Sequence, residues 1–216
     1  MKTGAGIRNL VITKLEERSA FLSDNSNGPI LSGGNNLSEL KPVYDYVDEQ
    51  LPIAANEVLL SAPIHKLSAT QADVSGISTL NANGVCTIAL PDDYLRLVKV
   101  KLTEWSTPVS IPISVDHPLY RQQHNKYTRG HQDKPVVAYV EVGSEKQLEC
   151  YSYTKNSTVE SLWYIQKFDE KNKYKDAIAE LIALTCARKI FEIFGNTEQV
   201  TIMTAEVQNV LNTMLL

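Results

Sequence analysis

The sequence predicts an α+β fold, in which a helical bundle formed by the N- and C-terminal helices carries an inserted, small antiparallel β-sheet domain. Apolar residues recur every three or four positions near both ends of the chain, which is the spacing of one helical face. Between these regions lie alternating, strand-like runs and eleven of the sixteen aromatic residues, a composition that suits a pleated sheet. All nine prolines fall between Pro29 and Pro135, which leaves the C-terminal part free to form long helices.

Four segments follow from this pattern. Residues 1–36 are predicted to form an N-terminal helix and a flexible connector, and residues 37–66 a second helical part of the bundle. Residues 67–167 are predicted to be the β-rich inserted domain. Residues 168–216 are predicted to form the C-terminal helices that complete the bundle.

The N-terminal segment has two parts with different composition. Residues 7–22 have the apolar spacing of a short amphipathic helix. Residues 23–36 (SDNSNGPILSGGNN) are rich in Ser, Asn and Gly, which is typical of an exposed, flexible connector.

The next segment, residues 37–61, has one apolar and one acidic face. Pro42 suits the first turn of a helix, where its missing N–H is harmless. Pro52 is expected to cause a kink or a restart, and Pro63 to end the helix. The solvated face is predicted to carry four acidic residues: Asp45, Asp48, Glu49 and Glu57.

The β-rich segment is predicted to form one sheet of four to six strands. Residues 85–90 form a β-type run, which is followed by a turn at residues 91–93 whose aspartates can bond their own backbone. Residues 95–105 alternate, with Val98, Val100 and Leu102 predicted on the buried face. Three further strands are predicted at residues 135–142, 147–153 and 159–166.

The C-terminal segment returns to helical spacing. Residues 169–194 are apolar around most of the helix, which predicts burial from more than one side. Gly195 fits the left-handed position after that helix, and Thr197 is predicted to be the N-cap of the last one. The last helix has a narrow apolar row suited to a helix–helix seam, made of Val200, Met203, Val207, Val210 and Met214.

Composition excludes several classes of protein. The net charge of −4 and the sequence pI near 5.6 argue against a sequence-independent nucleic-acid binder with a basic outer face. No run approaches the roughly 18–20 apolar residues of a membrane span, and the start of the chain has no apolar secretion signal. Three widely spaced cysteines, Cys86, Cys150 and Cys186, indicate reduced, buried thiols.

The chain has no established catalytic, cofactor or metal motif. The sequence Gly4-Ala5-Gly6 follows no strand and lacks the third glycine of a dinucleotide site. On a continuous helix, successive histidines among His117, His124 and His131 would lie about 10 Å apart, too far for one metal ion. Hence no catalytic residue, cofactor or metal is predicted.

Two other arrangements of polar residues are also interpreted as structural. Ser114, Asp116 and His117 are neighbours in sequence, whereas the members of a hydrolase triad come from different parts of a fold. Asp92 and Asp93 lie side by side in a turn, where their carboxylates diverge.

The basic segment 117–134 is the local exception to the acidic balance. It has two interpretations: a solvated loop between two strands, or a projecting loop that contacts a partner. Arg and Tyr favour the second, because both are enriched at interfaces. The candidate contact residues are Tyr120, Arg121, Lys126, Tyr127, Arg129 and Lys134.

Three passages together resemble a known family. They are the helix end at residues 51–63 (LPIAANEVLLSAP), the strand–turn–strand at 88–100 (IALPDDYLRLVKV), and the helix at 177–184 (AIAELIAL). The second is followed by Trp105, the basic segment and residues 134–139 (KPVVAY). In the order and residue composition of these passages, the chain resembles the head–tail adaptor (connector) proteins of tailed bacteriophages, of the short-tailed or crAss-like type. The resemblance covers about residues 40 to 200.

This resemblance implies a structural virion protein at the head–tail interface, assembled in the host cytoplasm. Copies of the chain would form a ring, typically twelve-fold, below the portal protein. The ring would dock other ring or tail proteins, and double-stranded DNA would pass through its lumen. An acidic chain is compatible with the passage of DNA, because it makes few of the strong phosphate contacts that would hold the duplex in place. No sequence preference and no membrane partner are expected.

Two alternatives remain open at this stage. The aromatic-rich sheet could bind a small ligand or a carbohydrate, with exposed Trp105 and Tyr139 as stacking residues. An enzyme of another type would need perturbed titrating groups gathered in a cleft, and the sequence contains no such cluster.

Overall fold

The computed structural model describes residues 1–22, 41–76, 78–80, 85–143, 145–151 and 157–215. The described residues combine helices with antiparallel strands, which confirms the α+β class. They divide into two compact units: a helical unit of residues 1–68 and 167–216, and a strand unit of residues 69–166. The connector predicted at residues 23–36 lies outside the described residues.

The described residues of the helical unit form four long helices. None of the helices in the described ranges is both long and apolar enough to cross a membrane. The helices of this unit are α1 (Gly4–Leu22), α2 (Lys41–Ser61), α4 (Asp176–Ile193) and α5 (Thr197–Leu215). The strand unit adds the short helix α3 (Pro118–Gln123).

Helix α1 begins at Gly4, three residues before the predicted start. The Gly4 N–H donates to the carbonyl of Glu170 over 2.9 Å, and a Cβ at Gly4 would lie only 2.5 Å from Glu170 Cα. Only glycine permits this approach of the two backbones. The buried face of the helix consists of Ile7, Val11 and Leu15, four residues apart as a helical stripe requires.

Helix α2 runs without interruption through Pro52, so the restart considered there does not occur. Pro52 lies on the exposed side, where water can satisfy the backbone carbonyl that its missing N–H leaves unbonded. The opposite side packs into the core through Val47, Leu51, Ala54, Ala55, Val58 and Leu59.

Helix α4 is the centre of the helical unit. It contacts α1, α2 and α5, and every residue from Leu181 to Ala187 is buried, as the apolar pattern predicts. The predicted start at Asp169 is wrong by seven residues. The Asp169 carboxylate instead accepts the N–H of Lys171, and Tyr174 forms a β-bridge with Lys2, so this stretch is a turn.

At the junction between α4 and α5 the predicted glycine is confirmed, but the N-cap of α5 differs from the predicted residue. Gly195 has φ +72°, which confirms the left-handed position. The cap is Asn196, whose Oδ1 accepts the N–H of Gln199 over 3.1 Å. Thr197 is the first helical residue, so its assignment as N-cap is wrong by one position. A short amide side chain serves this role as well as a hydroxyl.

The apolar row of α5 forms a seam within the chain. Met203 and Met214 are buried, while Val200, Val207 and Val210 are half-buried, and the helix contacts α4. Arg18 of α1 also forms an ion pair with Glu206 of α5. The row therefore joins α5 to its own bundle.

The strand unit contains two antiparallel sheets where one was predicted. In the described part of the chain the strands are β1 (Thr70–Gln71), β2 (Ser78–Leu80), β3 (Cys86–Ala89), β4 (Tyr94–Leu102), β5 (Val137–Val142), β6 (Glu145–Cys150) and β7 (Val159–Gln166). Their orders are β1-β7-β4 and β2-β3-β6-β5. The two sheets share one apolar core. Alternation along a strand indicates its buried face but does not identify its neighbour.

Strand β4 departs from simple alternation. Its pairing with β7 shifts at three places: between Tyr94 and Arg96, between Leu97 and Lys99, and between Lys101 and Leu102. Such bulges change which side chains point inward. Val100 and Leu102 are buried as predicted, but Val98 is half-buried and Leu97 takes its place in the core.

The turn before β4 is fixed by contacts across the sheet. The Asp93 carboxylate accepts the hydroxyl of Tyr164 over 2.9 Å and the side-chain amide of Gln166 over 2.7 Å. The Tyr164 ring stacks on Tyr94, which also stacks on Tyr139. Asp93 thus joins the start of β4 to the end of β7.

The cysteines are free and buried, as the sequence predicts. Cys86 and Cys150 lie opposite each other on β3 and β6. Burial raises the pKa of the Cys150 thiol well above its usual range and that of the Cys186 thiol to about 12. Both thiols are therefore protonated at neutral pH, which is the inert form.

Candidate interaction surface

The basic segment 117–134, called the contact segment below, is more ordered than the predicted loop. It begins with helix α3, because Pro118 occupies the first helical position, where proline is favoured. His117 is the N-cap, and its Nδ1 accepts the N–H of Leu119 over 3.2 Å. The loop assignment is therefore wrong for residues 118–123.

A buried glutamine holds the rest of the contact segment against α3. Gln123 is only 3% exposed. Its amide donates to the Leu119 carbonyl over 3.1 Å, and its Oε1 accepts the N–H of Gly130 over 2.8 Å. The Thr128 hydroxyl adds a bond to the Gln122 carbonyl. These bonds give the turns after α3 a defined shape.

One carboxylate anchors the contact segment to the sheet. The hydroxyls of Tyr120 on α3 and of Tyr151 beside β6 both donate to Oε2 of Glu149, the first over 3.2 Å. The rings of Tyr120, Tyr151 and His124 also meet edge to face, with centroids 5.0–6.2 Å apart, a favourable aromatic geometry. Sequence reasoning missed Glu149 and Tyr151, because nothing local links them to α3.

These phenols are held in their neutral form. Burial raises the pKa of Tyr120 and of Tyr151, and for Tyr151 the hydrogen bond to Glu149 raises the pKa further. Both hydroxyls are occupied as donors to the same oxygen. The cluster therefore suits attachment of the segment rather than proton transfer.

The outer side of this region exposes large apolar side chains. Tyr127 is 83% exposed, with Lys126 Nζ 4.8 Å from its ring centroid. Leu119 is exposed on α3, and Ile111 and Val115 are exposed in the stretch that precedes it. Exposed apolar side chains among cations are compatible with an interaction surface.

The cations of the contact segment have no acidic partner among the described residues, as is also the case for exposed lysines such as Lys171 and Lys173. Arg8, Arg18 and Arg188 in the helical unit all pair with carboxylates. Among the described residues, no carboxylate pairs with any cation of the contact segment, that is, with Arg121, Lys126, Arg129 or Lys134. With Asp133 as its single acidic residue, the segment has a net charge of +3 in a chain of −4, so the remainder carries −7.

A recess lies between the contact segment and the sheet. Its volume is about 770 Å³. The cations Lys126 and Arg129 line it together with Tyr127, and Glu149 and Tyr151 lie on the sheet side. The recess is therefore a cationic and aromatic pocket in which the one carboxylate already accepts two hydroxyl donors.

The structure separates the six predicted contact residues into two groups. Tyr120 is half-buried and anchors the segment. Arg121, Lys126, Tyr127 and Lys134 are exposed, and Arg129 is half-buried at the recess. Five of the six thus remain accessible to a partner, and their role in binding stays a prediction.

The histidines and the neighbouring polar groups have local structural roles. His117 caps α3, His124 packs on two tyrosines, and the Nδ1 of His131 accepts the N–H of Asp133 over 3.3 Å. Within the described residues no three His, Cys, Asp or Glu side chains are grouped to hold a metal ion. His117 Nδ1 bonds backbone rather than Asp116.

The two aromatic residues considered for ligand stacking are not exposed together. Trp105 is 2% exposed and belongs to the core of the strand unit, so the expectation that it is exposed is wrong. Tyr139 is half-buried, its ring stacks on Tyr94, and its hydroxyl donates to Glu141 over 2.6 Å. They therefore do not form an open stacking platform.

Comparison with family models and with curated protein sequences gives no match by which to identify the site. No family model and no curated protein sequence matches the chain. The interpretation of the surface therefore depends on its own features: unpaired cations, exposed apolar side chains, and a recess beside them.

Proposed function

We propose that the chain is a structural virion protein, a head–tail adaptor that assembles as a ring below the portal of a tailed bacteriophage. The observation that carries this proposal is the contact segment, which presents unpaired cations and exposed apolar side chains on an anchored framework. Such a surface combines the Arg, Tyr and apolar residues that are enriched at protein interfaces. It serves binding between proteins rather than a reaction.

The arrangement of the chain supports the same role. Helices from both ends form one compact unit and an antiparallel strand unit is inserted between them, the order on which the resemblance to phage adaptors depends. A ring needs two different surfaces on each subunit, because each copy contacts its neighbours head to tail. The expected assembly has twelve copies.

The charge of the chain favours a lumen through which DNA slides. The net charge is −4, and a duplex is held tightly only where Lys and Arg neutralise many phosphates. We expect the portal above, other ring or tail proteins below, and double-stranded DNA passing through without base recognition.

The test is binding to the portal protein encoded in the same genome. The purified chain is sedimented through a density gradient alone and together with assembled portal. We expect the chain to move with the portal at a fixed stoichiometry, because the proposed ring docks on the portal. The capsid protein of the same genome is the control and should not carry the chain with it.

Failure of this experiment has a clear form. A chain that stays monomeric at high concentration, and that sediments separately from the portal and from other tail components, would refute the proposed function.

A further inference from the structure

A second unpaired surface lies on helix α2. Of its acidic residues, Asp48 pairs with Arg8 and Glu57 pairs with Lys189. Asp45 and Glu49 are exposed and have no cationic partner among the described side chains. The negative charges of two carboxylates on the predicted solvated face are therefore not balanced by a cation among the described residues.

These carboxylates are aligned with an exposed apolar residue. Asp45, Glu49 and Ile53 are spaced by four, which places them on the same side of the helix over about 12 Å. Ile53 is 54% exposed. This acidic row, Asp45–Glu49–Ile53, has the opposite charge to the contact segment and a comparable mixture of charged and apolar groups.

We propose that the contact segment of one subunit binds the acidic row of helix α2 of a second copy of this chain. Arg121 and Arg129 would face Asp45 and Glu49, and Ile53 would meet the aromatic and apolar groups around Tyr127. This inference rests on the proposed function, because it identifies the two surfaces that join neighbours in the ring.

One feature favours a protein partner over the phosphates of DNA. Phosphate contacts need cations alone, whereas the contact segment also exposes the apolar side chains of Leu119 and Tyr127. A second copy fits best because the surfaces are complementary, carry opposite charge and differ from each other, as a head-to-tail contact requires.

Charge reversal on each surface tests the contact. One variant carries Arg121→Glu with Arg129→Glu, and the other carries Asp45→Lys with Glu49→Lys. Assembly of the full chain is measured by sedimentation, with portal present, as the concentration at half-assembly. Each variant alone should need at least about tenfold more protein, since about 1.4 kcal/mol lost per contact has this effect.

Mixing the two variants gives the decisive result. Each interface in an alternating ring then joins opposite charges again, because the reversed contact segment meets the reversed α2 and the two native surfaces meet each other. An equal mixture should return to within about threefold of the wild type in the same assay. Assembly should also weaken as salt rises.

The control matches the change in net charge of the arginine variant. Lys171→Glu with Lys173→Glu alters two exposed lysines outside both surfaces and should assemble like the wild type. Circular dichroism and thermal melting verify folding. Should a reversal unfold the chain, the neutral pair Arg121→Gln and Arg129→Gln replaces it and should still weaken assembly severalfold.

The outcomes separate this inference from the proposed function. Wild-type rings with variants that assemble normally, or a mixture that remains impaired, would refute the α2 contact alone. Loss of DNA binding by the arginine variant with unchanged assembly would likewise refute it and assign the segment to phosphates. A wild-type chain that never associates, even with portal, would overturn both.

Discussion

Gly4 and Gly6 in the first turn of α1 experience opposite steric environments. A methyl group at Gly4 would meet the backbone of Glu170 at 2.5 Å, whereas at Gly6 the nearest atom is a side-chain carbon of Lys2 at 3.5 Å. Neither glycine has a positive φ. Gly4 is thus required by the close approach of the Glu170 backbone, whereas the position of Gly6 has room for a side chain.

We expect Gly4→Ala and Gly6→Ala to change stability in opposite directions. Gly4→Ala should lower the free energy of unfolding by about 1–3 kcal/mol, because the backbone of Glu170 must move. Gly6→Ala should raise it by about 0.5–1 kcal/mol, because alanine restricts the unfolded chain. Urea denaturation of both variants measures this, and an equal effect of the two changes would contradict the packing described for Gly4.

The cap of α5 gives a second comparison between neighbours. Asn196→Ala should cost about 1 kcal/mol, because the N–H of Gln199 loses its acceptor. Thr197→Ala should change stability by no more than a few tenths of a kcal/mol, since Thr197 is already inside the helix and exposed. Thermal denaturation of the pair decides between them, and a larger loss for Thr197→Ala would restore Thr197 as the cap.

The structural role of some residues can be predicted from their identity, and that of others cannot. Gly195 is predictable, because few other residues accept its φ of +72°. The choice between Asn196 and Thr197 is not, since either side chain can cap a helix and only backbone geometry selects one. Glu149 is hidden from sequence reasoning, because its role depends on Tyr120, which is 29 positions away.

At the scale of elements, one ion pair links the first two helices. Arg8 Nε and Asp48 Oδ1 lie 2.5 Å apart, and a second nitrogen of Arg8 donates to Oδ2 over 2.9 Å. The hydrogen bonds from Arg8 hold the pKa of Asp48 below its ordinary value. A carboxyl whose pKa is lowered by folding stabilises the native state above its unfolded pKa, and this contribution is lost as the pH falls through the folded pKa.

Asp48→Asn should therefore be less stable than the wild type at pH 7 by about 0.5–1 kcal/mol, the range for exposed pairs. The difference should disappear as the pH falls below about 3.9, the unfolded pKa of aspartate, and through the lower folded pKa. Chemical denaturation of both proteins from pH 7 to pH 2 measures it. Asp45→Asn is the control, because Asp45 has no cationic partner among the described residues; a difference that stays constant with pH would contradict this account.

For the strands, the alternation of apolar and polar residues predicts position along the chain but not pairing. Strand β7 matches its predicted bounds, and β5 lies within its predicted segment, because alternation and aromatic content are local signals. The division into two sheets depends on pairing between distant strands, which no local pattern encodes. The bulges in β4 similarly replace Val98 with Leu97 in the core, because irregular pairings before and after Leu97 shift the inward side.

At the scale of the whole molecule, the sequence predicts the α+β class and the central place of α4, since both depend on the distribution of apolar residues. It also indicates the contact segment through its excess of basic residues and its two tyrosines. It could not show that Tyr120 faces inward or that Gln123 and Glu149 order the segment, because these contacts arise only when α3 meets the sheet.

The distribution of paired and unpaired charges differs between regions of the molecule. Among the described residues, ion pairs compensate many charges inside the helical unit, while the four cations of the contact segment and the carboxylates of Asp45 and Glu49 on α2 take part in no ion pair. Uncompensated charges of opposite sign on two different surfaces suit a subunit that binds copies of itself head to tail. We therefore propose that this chain is one subunit of a closed ring.

The most direct test is the rotational symmetry of particles formed by the chain with its portal. Negative-stain electron microscopy with class averaging, viewed down the particle axis, measures that symmetry. We predict an added ring of density with a central channel and twelve-fold symmetry, absent from portal alone. Class averages of the mixture that are identical to portal alone, with the chain remaining as separate monomers, would contradict the account.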